Sequence, residues 1–183
     1  MSEPARNRMT SDEFIAWAMD HPGGIRFELA AGEIMGMAPE RSAHARTKFR
    51  VARLLAEAVE AAELDCEVFT DGMAVEVDRE TTYEPDAMVR CGPPLPDDAI
   101  KVLDPLIVVE VLSPTSRARD AGAKLADYFR MPSLRHYLIV RTEDRSAIHH
   151  ARGADGAIAT HIIRGGPIRL DPPGIEITLA EAG

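Results

Sequence analysis

No stretch of this sequence is apolar for long enough to span a bilayer, and Met1-Ser2-Glu3-Pro4-Ala5-Arg6 lacks the apolar run of a signal peptide. Both absences point to a cytoplasmic protein with no membrane partner. Cysteine is scarce: Cys66 and Cys91 stand far apart, match no zinc-ligand spacing, and read as ordinary thiols rather than a disulfide framework. Bases are outnumbered, 21 Lys and Arg against 30 Asp and Glu, for a net charge of -9. Such an average field repels phosphate, so contact with nucleic acid has to come from a local basic patch or a metal ion. Internal repeats and low-complexity tracts are absent too. What remains is a chain of 183 residues, 45% hydrophobic and 28% charged. That suits a flexible lead over 1–9 and one globular domain over 10–183 with a substantial core.

Thr10-Ser11-Asp12-Glu13 is a capping-box pattern ahead of a short amphipathic helix, which the breakers His21-Pro22-Gly23-Gly24 must end. Phe27-Glu28-Leu29 and Glu33-Ile34-Met35 around Ala31-Gly32 predict a hairpin. From Pro39 to about Leu64, Val51, Leu55, Ala58 and Ala62 recur at helical spacing, with His44 and Lys48 extending the stripe toward its start. Arg41, Arg46, Lys48, Arg50 and Arg53 lie on this helix with no acid among them, a run that more often is a solvated face. Cys66–Phe69, Met73–Val77 and Tyr83–Val89 predict an antiparallel meander turning at Asp71-Gly72. The proline-rich stretch Cys91–Asp98 reads as a surface loop. Leu106–Leu112, a helix capped by Thr115 or Ser116, and Leu134–Val140 form a strand, helix, strand unit, which favours parallel pairing. Short strands fill the tail to Leu179. His149 and His150 must face opposite ways on one of them, so they are discounted as joint metal ligands.

Chemistry concentrates between Tyr83 and Lys124. Glu110 sits near the end of an aliphatic run closed by Ser113-Pro114, where an ionised carboxylate is costly unless paired. Asp86 follows Pro85 at the start of another strand. Two such acids at strand ends suggest a divalent-metal site of hard oxygen ligands. The plainer alternative makes Asp86 a turn residue and Glu110 a satisfied core carboxylate.

Pro85-Asp86, Val109-Glu110-Val111-Leu112-Ser113-Pro114, Asp120, Lys124, Tyr128 and Tyr137, with the Phe27–Ile34 hairpin and His44 heading a long helix, resemble the Uma-two family of restriction-endonuclease-like proteins. The resemblance runs from about Thr10 to Leu179 and implies the PD-(D/E)XK nuclease-like α/β (α+β) fold. Its expected form is a central mixed sheet flanked by helices, with an N-terminal hairpin and extra C-terminal strands. It also implies a magnesium-dependent phosphodiesterase architecture, with nucleic acid, DNA foremost, as substrate. The many short apolar strands of the tail could pair across a homodimer.

One position departs from the family pattern: the residue two after the second acid, where such nucleases carry lysine, is Leu112. Asp86, Glu110 and the Val111 carbonyl are then the expected ligands of Mg2+ or Mn2+, and Lys124 the expected replacement for the lysine. Lys124 follows Glu110 by 14 residues and shares a helix face with Leu125 and Tyr128; its alternative is a surface pair with Asp120. Glu33, Glu28 or Glu40 would complete the carboxylate set, and His44 would contact phosphate or carry a proton. A non-catalytic homodimeric scaffold that keeps the nuclease fold is the second expectation, supported by the acidic charge and the missing lysine.

Overall fold

The computed structural model describes residues 8–21, 26–112 and 118–179, with backbone alone over 118–121. In chain order they form α1 (Ser11–Met19), β1 (Phe27–Ala30), β2 (Glu33–Gly36), α2 (Ser42–Ala61), β3 (Cys66–Thr70), β4 (Ala74–Asp78), β5 (Thr81–Tyr83) and β6 (Ala87–Cys91). There follow β7 (Lys101–Val102), β8 (Ile107–Leu112), α3 (Ala118–Tyr128), β9 (His136–Arg141), β10 (Ala147–Arg152), β11 (Ile158–Ile163), β12 (Pro167–Leu170) and β13 (Ile175–Thr178). The turn expected at His21-Pro22-Gly23-Gly24, beyond His21, and the caps expected at Thr115 or Ser116 lie outside the described residues.

The centre is a six-stranded mixed sheet in the order β11-β10-β9-β8-β6-β3. β8 and β9 run parallel through α3, while β6 meets β8 antiparallel. Period-2 alternation splits these strands between two cores. Ala87, Val89, Ile107, Val109, Val111, Leu138 and Val140 face Val51, Leu55 and Val59 of α2 and the β12–β13 hairpin. On the other side Met88, Val108, Tyr137 and Ile139 pack with Tyr128 of α3 and with Val75 and Tyr83. β8 is covered on both faces, which is why its sequence is aliphatic at every position but Glu110. No described helix is long and apolar enough to cross a membrane.

A second, five-stranded sheet, β2-β1-β5-β4-β7, carries the expected N-terminal hairpin, whose turn residues Ala31 and Gly32 have φ of 49° and 77°. The Thr10 capping box is present: Glu13 receives the Thr10 backbone N–H at 2.8 Å and the Thr10 hydroxyl accepts from the Glu13 N–H.

The expected meander is corrected. β3 pairs with β6, and β4 with β5 and β7, so Asp71-Gly72 carries the chain between sheets instead of closing a hairpin. Tyr83–Val89 is likewise two strands. Pro85 has no N–H for a ladder, and Glu84-Pro85-Asp86 passes from β5 in one sheet to β6 in the other. The reading of the cysteines as separate thiols is also overturned. Cys66 and Cys91 are directly opposed in the β3–β6 register, with Cα atoms 3.9 Å apart, and form a disulfide.

Candidate metal and catalytic site

The Glu84–Asp86 crossing places Asp86 at the mouth of β6. Extending the β6–β8 register one step beyond Ala87↔Val109 sets Asp86 opposite Glu110, and alternation gives both acids the face of Met88 and Val108. Beyond that pair β8 has no β6 partner, so the backbone of Val111 needs other ones. Asp86 is buried and its Oδ2 accepts the Val111 N–H at 2.7 Å. His44, in the first turn of α2, has Nε2 2.8 Å from the Val111 carbonyl oxygen and 3.4 Å from Asp86 Oδ2. A carbonyl can only accept, so Nε2 carries the proton. The Asp86 carboxylate holds the His44 pKa above its ordinary value; burial opposes this, and Glu40 and the Val111 carbonyl reinforce it. The Nδ1 atom is buried without a hydrogen bond to any described residue, 3.4 Å from Glu40 Oε2.

Glu110 turns toward α3. Its Oε1 accepts from Lys124 Nζ at 2.9 Å and from the Tyr128 hydroxyl at 3.1 Å. Lys124 Nζ also donates to Glu28 Oε1 at 2.7 Å and lies 4.9 Å from the Tyr83 ring centre. Burial pushes the Glu110 carboxyl well above the usual range; Lys124 opposes this, and the charges of Asp86 and Glu28 add to it. For Lys124 burial acts downward but is outweighed by Glu110 and Glu28, so the ammonium is held above its ordinary pKa. It remains a cation and a hydrogen-bond donor.

An ion-pair network closes the other flank. Lys48 Nζ reaches Glu40 at 2.6 Å and Asp71 at 2.9 Å, and Arg26 bridges the same two acids. The cleft among these groups encloses about 620 Å³, with Glu28, Glu40, His44, Asp86, Glu110 and Lys124 on its wall. The hydroxyl of the fully buried Tyr137, also on that wall, has no hydrogen-bond partner among the described residues.

The residues singled out from sequence therefore fall into two groups. Asp86, Glu110, Val111, Lys124 and His44 come together at one end of the β6–β8 pair. Glu33 does not: it shares the Glu28 side of the hairpin through its pairing with Ala30, but sits exposed at the turn end and off the cleft wall. Glu28 and Glu40 are the acids that the N-terminal segments bring in. Lys124 has Glu28 and Glu110 as its described partners; the Asp120 side chain of the surface pair considered above lies outside the described residues. Sequence reading missed the donor role of Tyr128 and the Arg26–Lys48–Asp71 network, whose members come from three distant segments and leave no local pattern.

The donor set suits a divalent cation. Ligand atoms of Glu40, His44 and Asp86 lie within 4.8 Å of one another, and Glu110 and the Val111 carbonyl border them. Carboxylate and carbonyl oxygens fit Mg2+ or Mn2+, and an imidazole nitrogen favours the latter.

Comparison with known proteins agrees with this architecture. The chain is 25% identical over 150 residues, 81% of its length and 77% of the relative's, to the uncharacterized protein slr1290 of Synechocystis. A second Synechocystis protein, the uncharacterized sll1609, is 30% identical over 116 residues, 62% of this chain and 64% of its own. The crystal structure of a "putative nuclease belonging to DUF820" from Anabaena variabilis superposes with a TM-score of 0.75, covering 93% of this chain and 95% of that one at 12% identity, and so shares the fold. The family model Uma2, described as "Putative restriction endonuclease", matches residues 11–180. With that match over nearly its whole length, and with a fold of the restriction-endonuclease-like type, the chain belongs to the Uma2 family.

Proposed function

We propose that this protein is a divalent-metal-dependent phosphodiesterase acting on nucleic acid, with DNA as the preferred substrate and the cytoplasm as its setting. The observation that carries the reading is the contact of Lys124 with Glu110, which brings an ammonium from α3 to the place that Leu112 leaves apolar. Asp86, Glu110 and the Val111 carbonyl would hold Mg2+ or Mn2+, with Glu40 and His44 in reach. When bound there, such an ion supplies positive charge to phosphate oxygens and makes water more acidic.

The protein's own groups do the positioning. Lys124, fixed between Glu110 and Glu28, presents an N–H toward the cleft and stabilises charge that builds on a phosphate oxygen. Tyr128 holds the Glu110 carboxylate in place for that lysine. His44 fixes the Val111 carbonyl and stands beside Asp86, so it is placed to pass a proton or to touch phosphate.

The test is cleavage of plasmid, linear and single-stranded substrates with Mg2+ and Mn2+. Asp86→Asn and Lys124→Ala are each expected to lose about 100-fold in rate, the scale of removing one charge-stabilising group. A wild-type protein that binds neither ion and cuts nothing defeats the reading.

A scaffold role is favoured by one feature. Edge strand β11 exposes Ile162 (67%) and Ile158 (39%) on one side, as a strand awaiting another would. Pairing of two β11 strands would give the proposed homodimer; sedimentation as a monomer removes it.

A further inference from the structure

Within the basic run on α2, Arg46, Arg50 and Arg53 take no part in the site just described, yet their layout is not that of an ordinary solvated face. Lys48, Val51, Leu55 and Val59 are buried against the sheet. On the far side Arg46, Phe49, Arg50 and Arg53 fall at i, i+3, i+4 and i+7, one continuous stripe. Phe49 is 69% exposed at its centre. Solvated helix faces usually alternate charge so that neighbours three and four apart attract. Here they repel: Arg46 and Arg50 make no ion pair with any described residue, and Arg53 meets only an exposed Glu57 at 3.7 Å. Lys48, another base of the run, is consumed by Glu40 and Asp71. Arg41, at the helix start, lines the cleft.

We propose that this face of α2 is a docking track for single-stranded nucleic acid leading into the cleft. The inference rests on the phosphodiesterase reading above and specifies its substrate. Guanidinium groups match phosphate geometry, and on a chain of net charge -9 a segment with five bases and no acid is where a polyanion can approach. The exposed ring among the arginines decides for a single strand. A base can stack on Phe49 only if its face is free, and in a duplex both faces are covered by neighbouring pairs.

The experiment is fluorescence anisotropy with a labelled oligothymidylate and with a duplex of equal length, in EDTA so that nothing is cut. The wild type is expected to prefer the single strand. The R46A/R50A/R53A variant should bind at least tenfold more weakly and lower the slope of log K against log salt by about 2, roughly 0.7 per lost phosphate contact. Phe49→Ala should weaken single-strand binding about tenfold and leave duplex binding unchanged. Circular dichroism confirms that the helix persists, and R46K/R50K/R53K should restore most of the salt slope. If the triple alanine variant binds like the wild type with the same slope, the track is wrong while the phosphodiesterase reading stands. Equal loss of duplex and single-strand binding in Phe49→Ala overturns the single-strand assignment. A wild type that binds neither probe overturns this inference, and retained metal-dependent cleavage would then show that the enzyme reading survives it.

Discussion

Lys124, Glu28 and Glu110 share a nearly dry spot, their side chains 13%, 11% and 12% exposed. One cation serves two carboxylates there, so its removal leaves two like charges with little water to screen them. Lys124→Met is expected to cost about 3 kcal/mol in urea unfolding, as for a broken buried pair. The pH dependence has a definite sign. A carboxyl whose folded pKa is raised, as burial raises Glu110, binds its proton more readily in the folded state, so stability falls as pH rises from the unfolded value of 4.5 through the folded one. Without Lys124 that rise grows, and the variant should lie closer to the wild type at pH 5 than at pH 8. An equal deficit at both would mean that the carboxylates are well solvated. These acids were legible in sequence because a charge inside an aliphatic run has few explanations. Glu28 was harder to place, since alternation assigns it to solvent, whereas Glu28 and Leu29 are both buried on β1.

Among the elements, β8, β9 and α3 were read correctly because a strand covered on both faces and an intervening helix leave different periodicities. Asp71-Gly72 misled because a turn dipeptide constrains the chain locally and says nothing about which sheet receives the next strand. The β9–β10 pair carries a testable consequence that no pattern announced. Pro172 O accepts from His136 Nε2 at 2.9 Å, so His136 Nδ1 is the acceptor for His149 Nε2–H at 2.9 Å. His150 bonds Thr160 on the opposite face, in keeping with the alternation expected of adjacent residues. Burial first, then the neighbouring histidines, pushes the His149 pKa down to about 4, and burial lowers His136 as well. For a depressed histidine the unfolded chain takes up the proton first. The stabilising contribution is therefore complete above pH 6.5 and is lost as pH falls toward 4, by up to about 3 kcal/mol for His149. His149→Gln should flatten the pH profile of the urea midpoint between those limits. An unchanged profile would show that His149 takes up its proton at the same pH in the folded and unfolded states.

At the scale of the whole molecule, site and fastening lie at opposite ends of the same strand. Asp86 precedes β6 and Cys91 ends it, five residues on, or about 17 Å at strand rise. The Cys66–Cys91 bond joins β6 to edge strand β3 across a sequence separation of 25. Closing a loop of that size restricts the unfolded chain and is worth about 3 kcal/mol. It adds nothing to the contacts that hold Asp86, because those run to Val111 and to His44 of α2. In a reducing cytoplasm the bond would open, and the lower stability would be the working one. Cys66→Ser/Cys91→Ser, or the wild type in strong reductant, is thus expected to unfold about 3 kcal/mol earlier in urea while calorimetric titration with Mn2+ returns an unchanged affinity. If affinity drops along with stability, the β3 end of the sheet is coupled to the site, and Asp86 is positioned by the integrity of the sheet rather than by its own partners.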